Sequence, residues 1–146
     1  MRVLLLSRKR GRLAGWTFVE TLIVIGIILV LTSAVGFMAF KYLDQAKQAT
    51  AKSQIETLAM ALNSYYFDVK KLPTQEEGLD SLWAKPSGAD GWNGPYVAKA
   101  VPKDPWGRPY TYQVPGPQGL PFVIRCLGAD GIEGGDGPNA DVSSAQ

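Results

Sequence analysis

The sequence predicts an α+β chain. A long N-terminal helix, with a membrane-spanning first half and an amphipathic second half, packs on a small antiparallel sheet. A glycine-rich acidic loop lies near the C-terminus. Three observations lead there. Between Trp16 and Phe40 the only charged residue is Glu20. No Pro or Gly interrupts Lys41 to Leu72, so the helix that begins in the apolar run can continue. Beyond Leu72 the composition turns to Gly, Pro and aromatics, with two β-favouring segments separated by a turn.

The chain has 146 residues, and three parts follow from the pattern: a basic leader over 1–15, an apolar helix over 16–40 and a globular part over 41–146. The leader carries Arg2, Arg8, Lys9, Arg10 and Arg12. Basic residues ahead of an apolar helix keep the N-terminus in the cytoplasm and send the C-terminus across the membrane. From Thr21 to Phe40 a helix rises about 30 Å, the thickness of a bilayer's hydrocarbon core. The run is apolar on every side, unlike the one-sided face of a small soluble domain. It exceeds the usual apolar stretch of a secretory signal, and no A-x-A cleavage site follows it.

Glu20 is out of place in such a run. A carboxylate near the end of a membrane helix costs a few kcal/mol unless it is neutralised or paired. Two readings stand. Glu20 sits at headgroup level and favours the helix N-terminus, where the dipole welcomes negative charge. Or it awaits a cation from another chain in a packed assembly.

After Phe40, Ile55, Leu58, Ala59, Leu62, Tyr66 and Val69 recur at helical spacing, while Gln54, Glu56, Thr57 and Asn63 fall off that stripe. A single helix from about Thr17 to Val69 would be roughly 80 Å long. Pro73 bars its continuation. Thr74 to Trp83 is expected to form a short helix, with Thr74 as N-cap and Glu77 closing a capping box. Pro86 to Pro105 reads as a loop held down by its aromatic rings, Trp92 and Tyr96 among them, with Trp106 just beyond. Arg108 to Val114 and Pro121 to Leu127 read as an antiparallel hairpin around Pro115-Gly116-Pro117-Gln118-Gly119, with a third short strand from about Tyr96 to Val101. A hairpin needs a partner for its apolar face, and the helix stripe supplies one.

Composition removes several classes of function. There is no histidine, which excludes imidazole acid–base chemistry and histidine metal ligands. Cys126 is the only cysteine, so no intrachain disulfide forms, and its apolar neighbours mark it as a small buried hydrophobe rather than a nucleophile. From Lys41 onward ten basic residues face twelve acidic ones, which argues against a nucleic-acid surface.

A basic leader ending in Gly15, then Trp16-Thr17-Phe18-Val19-Glu20 and about twenty apolar residues, resembles the class III signal of type IV pilins and type II secretion pseudopilins. Trp16 stands where the family usually has Phe, and Phe37 where members often have Pro. The second half narrows the likeness. Leu72-Pro73-Thr74, Glu77-Gly78-Leu79, Trp92-Asn93-Gly94-Pro95-Tyr96, Asp104-Pro105-Trp106-Gly107 and Tyr110-Thr111-Tyr112 with Pro115-Gly116 resemble the major pseudopilins of the type II secretion system. The resemblance implies a type IV pilin-like fold. It also implies cleavage between Gly15 and Trp16 by a prepilin peptidase, with methylation of the new N-terminus. Glu20 becomes the fifth residue of the mature chain, paired during assembly with the N-terminal amine of a neighbouring subunit.

The last feature is Leu127 to Asp141, where Asp130, Glu133, Asp136, Asn139 and Asp141 alternate with glycines. From the residues alone it is either a solvated acidic turn or an oxygen-rich cage of the kind calcium prefers, and its spacing is not that of an EF-hand. Soft ligands are absent, which disfavours zinc and copper. The resemblance implies calcium, with the Leu127 carbonyl, the Asp130 and Asp141 side chains and Asn139 as ligands, and Asp136 as a further candidate.

The implied protein is not an enzyme. It is the repeating subunit of a homopolymeric periplasmic filament, anchored in the bacterial inner membrane by one helix, that drives protein export across the outer membrane. The implied partners are minor pseudopilins, the prepilin peptidase, and an inner-membrane platform with its secretion ATPase. Two rivals remain: a type IV pilin for adhesion, motility or DNA uptake, and a signal-anchored periplasmic binding module with an aromatic pocket around Trp92, Tyr96 and Trp106.

Overall fold

The structure is a computed structural model that describes residues 16–145. The leader, with Gly15, lies outside the described residues. One helix, α1, runs Phe18–Val69 over 52 residues, as the uninterrupted helical pattern requires. Three short strands follow: β1 (Thr111–Gln113), β2 (Val123–Cys126) and β3 (Val142–Ser143). They form an antiparallel sheet in the order β1-β2-β3, with Tyr112 opposite Ile124 and Cys126 opposite Val142.

The chain divides into two compact units, Met1–Ala39 and Phe40–Gln146. In the first, the apolar side chains face outward along the helix: Phe18, Ile23, Leu29 and Val30 are all more than half exposed. Its apolar window has a mean hydropathy of 2.7 and is long enough to cross a membrane.

The second unit has a core of its own. The helix contributes Ala51, Ile55, Leu58, Ala61, Leu62, Tyr65 and Val69, and the sheet contributes Tyr112, Ile124, Cys126 and Val142. Ile124 and Cys126 are two residues apart and so share one face of β2, and their cross-strand partners Tyr112 and Val142 complete that face. Leu62, Tyr65 and Ile124 are wholly buried.

Three sequence expectations are corrected. The buried stripe passes through Tyr65, not Tyr66, which is exposed. At about 100° per residue the line through Leu58, Leu62 and Val69 passes closer to position 65 than to 66. The third strand is Val142–Ser143, whereas Tyr96 to Val101 forms bends without a ladder. The capping box of Thr74 and Glu77 forms as expected: the Thr74 N–H donates to Glu77 Oε2 at 2.8 Å and the Glu77 N–H donates to Thr74 Oγ1 at 3.2 Å. It closes only a turn, because Gly78 at φ 59° leaves the helical region, and the regular segment is a 3-10 turn over Leu79–Leu82. The long helix ends where Lys70 adopts φ 60°, a left-handed cap three residues before Pro73.

Candidate functional sites at the helix start and the C-terminal loop

At the helix start, Thr17 and Glu20 form a reciprocal cap. The Thr17 N–H donates to Glu20 Oε2 at 2.7 Å, its hydroxyl donates to the same oxygen at 2.8 Å, and the Glu20 N–H donates to Thr17 Oγ1 at 3.3 Å. This is the S/T-x-x-E box, which satisfies two of the orphan donors of a helix N-terminus. The carboxylate therefore already has donors from its own chain, in the first turn where the dipole favours it. The T-x-x-E spacing was present in the sequence as the signal for this cap.

The aromatic loop is consumed by packing. Trp92 donates its indole N–H to the Ser81 carbonyl at 3.0 Å, and the Tyr96 hydroxyl donates to Asp68 Oδ2 at 2.9 Å. The Tyr96 ring meets Trp92 and the buried Tyr65 edge-on. Trp92, Tyr96 and Trp106 all pack against the core. Burial, with the nearby Asp68 carboxylate, holds the Tyr96 hydroxyl above the usual phenol range.

Asp104 organises the next turn. Its side chain is buried, and Oδ1 accepts the N–H groups of Trp106 and Arg108 at 3.0 and 2.8 Å. The guanidinium of Arg108 lies 3.9 Å from the second oxygen and donates to the Gly128 carbonyl at the root of the C-terminal loop. Asp104 stood out in the sequence only as part of a motif, and Arg108 only as the start of the first β-favouring segment.

The loop from Leu127 to Asp141 closes on itself. The Leu127 carbonyl accepts the Gly131 N–H at 2.9 Å, and the Pro138 carbonyl accepts the Ala129 N–H at 3.0 Å. The first is a local turn, and the second lays the Leu127–Asp130 stretch against the stretch that carries Asn139 and Asp141. Gly128 is required at the join: at φ 53° it packs so closely on the Asn139 and Ala140 carbonyls that a Cβ would not fit.

The candidate ligands have different settings. Asp130 Oδ1 accepts the Ile132 N–H at 3.1 Å, and Asp141 Oδ2 accepts the Gly134 N–H at 3.1 Å. Asp141 Oδ1 is buried with no hydrogen-bond donor. The Asp130, Asp136 and Asn139 side chains are all exposed. Glu133 is taken up by Arg125 at 2.7 Å. Among the described residues no three Asp, Glu or Cys side chains converge as a metal cluster. The orphaned Asp141 oxygen fits the role of a cation ligand, since a buried anionic acceptor without a donor is costly until something positive meets it.

Cys126, at the foot of the loop, is buried, and burial pushes its thiol up from the usual value. A raised thiol in the core is a packing group, as its apolar neighbours suggested.

Known proteins supply an independent comparison. Residues 38–145 match the family model described as "Type II secretion system (T2SS), protein G". The type II secretion system core protein G of Pseudomonas aeruginosa is 38% identical, over 93% of this chain and 97% of that protein. The protein of the same name from Vibrio cholerae is 37% identical, over 94% of both. Among solved structures, the major pseudopilin of the type 2 secretion system of enterohaemorrhagic Escherichia coli superposes with a TM-score of 0.54 at 29% identity, covering 69% of this chain and 88% of that one.

Proposed function

Because this chain belongs to the type II secretion system protein G family, we propose that it is the major structural subunit of the type II secretion pseudopilus, a periplasmic filament that drives protein export across the outer membrane. The observation that carries this is the family match, which spans almost all of the unit Phe40–Gln146.

The two halves of α1 suit that role. The outward-facing apolar residues of the first half anchor the precursor in the inner membrane, and helix-on-helix packing buries them in the filament core. The globular unit remains periplasmic, as the basic leader directs. Processing between Gly15 and Trp16 by a prepilin peptidase creates the amine that Glu20 meets in a neighbouring subunit. That amine must outcompete Thr17 for the carboxylate, and its full charge makes it the stronger partner. The minor pseudopilins, the inner-membrane platform and the secretion ATPase are the assembly partners. The chain itself performs no catalysis and is a substrate of the peptidase.

Calcium in the C-terminal loop completes this reading. Asp141, Asp130, Asn139 and the carbonyl of Leu127 would hold it, with Asp136 as a further candidate. Bound calcium would offset the repulsion among the loop carboxylates and the entropy of its glycines. The loop thus does by ligation what a disulfide does elsewhere, which a chain with Cys126 alone cannot.

Deletion of the gene tests the function. Loss of exported enzymes from the medium with motility intact is the expected result. Normal export with lost motility would assign the chain to an adhesive or motility pilus instead.

A further inference from the structure

Gln48 lies on α1 within the unit Phe40–Gln146. Its side-chain nitrogen sits 3.0 Å from the carbonyl oxygen of Pro138, 3.0 Å from that of Ala140 and 3.4 Å from that of Gly137. An amide NH2 has two hydrogens, so three acceptors saturate it. All three belong to one stretch of the C-terminal loop, about ninety residues away in the chain. The carbonyl within that stretch that does not reach Gln48 is Asn139's. It packs against Gly128 and Gly135, where a Cβ on Gly135 would come within 2.8 Å of it. The carbonyls of 137, 138 and 140 thus reach the helix side chain, and that of 139 packs on the loop's own backbone.

We propose that Gln48 is a positioning residue for the C-terminal loop. It pins Gly137–Ala140 to α1 and so fixes the backbone that leads into Asp141, whose orphaned oxygen would meet a cation. The part about calcium rests on the loop binding that ion. The pinning itself does not. The geometry gives a specific chemical requirement at position 48: a side chain that donates two or more hydrogen bonds and accepts none. Glutamine meets it only with its NH2 end turned to the loop, and a lysine ammonium, with three donors, would meet it as well. A glutamate would place an anion against three carbonyl oxygens. Beside the latch, Lys41, Asp44, Gln45, Gln48, Gly137 and Pro138 line a cleft of about 310 Å³, which leaves room for a longer side chain.

The test uses the full chain in detergent micelles, stripped with chelator and titrated with calcium chloride by calorimetry, as wild type and as Gln48→Ala, Gln48→Glu and Gln48→Lys. Unpinning the loop is expected to weaken calcium binding by about 10-fold, the low end of what losing a ligand's own hydrogen-bond partner costs. That loss is expected for the Ala and Glu variants, with Lys near wild type. Amide hydrogen exchange in chelator gives a readout independent of calcium. The Ala129 N–H, which donates to the Pro138 carbonyl, should exchange faster in the Ala and Glu variants. The Tyr96 N–H, bonded to the Leu82 carbonyl, should not change and so reports that the fold is intact. Wild-type affinity in Gln48→Ala with unchanged exchange at Ala129 would overturn the proposal. If the wild type binds no calcium, the cation reading fails, and exchange at Ala129 alone decides whether Gln48 holds the loop.

Discussion

The two parts of α1 contain similar side chains and treat them in opposite ways. Leu29 is 63% exposed and Leu62 is fully buried, on one continuous helix. In the first unit apolar residues surround the helix and face outward. In the second they fall on one stripe, and the sheet face of Tyr112, Ile124, Cys126 and Val142 covers it. The difference is one of solvent. A helix apolar all round belongs in lipid or against its own kind, whereas a striped helix builds a core beside water. Two separate stabilities follow, one belonging to the folded unit and one to the assembly.

The largest expected effect on the folded unit comes from Leu62→Ala. It removes a buried side chain and leaves a cavity, so thermal or denaturant unfolding should show a loss of about 2–5 kcal/mol. Leu29→Ala, the same change on the exposed half, should leave that unfolding transition in place. Equal losses at both positions would break the distinction.

Calcium is the next lever. The melting temperature of the folded unit should fall on adding chelator and rise with calcium concentration, with stabilisation near 2.7 kcal/mol at a hundred times the dissociation constant. In Asp141→Ala the dependence should vanish. A melt insensitive to calcium in the wild type would remove the ion from the account.

A smaller effect is expected at high pH. Tyr112 donates its hydroxyl to the Pro73 carbonyl at 2.9 Å, and burial, with Tyr65 and Glu77 nearby, pushes it up from 10.0 to about 12. The folded state therefore favours the neutral phenol. Its contribution is fully present below pH 10 and is lost as the pH rises towards 12. Tyr112→Phe should cost about 1 kcal/mol at neutral pH and flatten the decline in that window. A stability profile with the same slope in the variant would contradict the assignment.

The smallest effect on the folded unit belongs to Glu20→Gln, which should not shift its melting at all. It should instead abolish filament assembly in cells, measured as sheared or cross-linked multimers. Normal multimers would show that the intrachain cap with Thr17 is the whole role of Glu20.

Local patterns carried much of this in the sequence. The helix, its end at Val69 and the Thr74–Glu77 cap all rest on spacings within a few residues, and they appeared where expected. Non-local pairings did not. Val142–Ser143 is a strand only because β2 offers it an edge, and two residues have no period of their own. Tyr65 and Tyr66, by contrast, are separated by local geometry: the helical angle of the stripe, not residue type, selects Tyr65. The loop was legible as glycines and carboxylates, but not its wiring. Arg108 reaches it from a turn twenty residues earlier, and Gln48 from the helix about ninety residues earlier, through contacts that leave no mark in spacing. Thr17 was legible too, since its spacing to Glu20 is that of a reciprocal cap.

If the chain is processed for assembly, its intact mass after purification from its native membrane should show a chain beginning at Trp16 and carrying one added methyl group. A mass beginning at Met1 would contradict that processing, since an uncut leader leaves no free amine for Glu20 to meet.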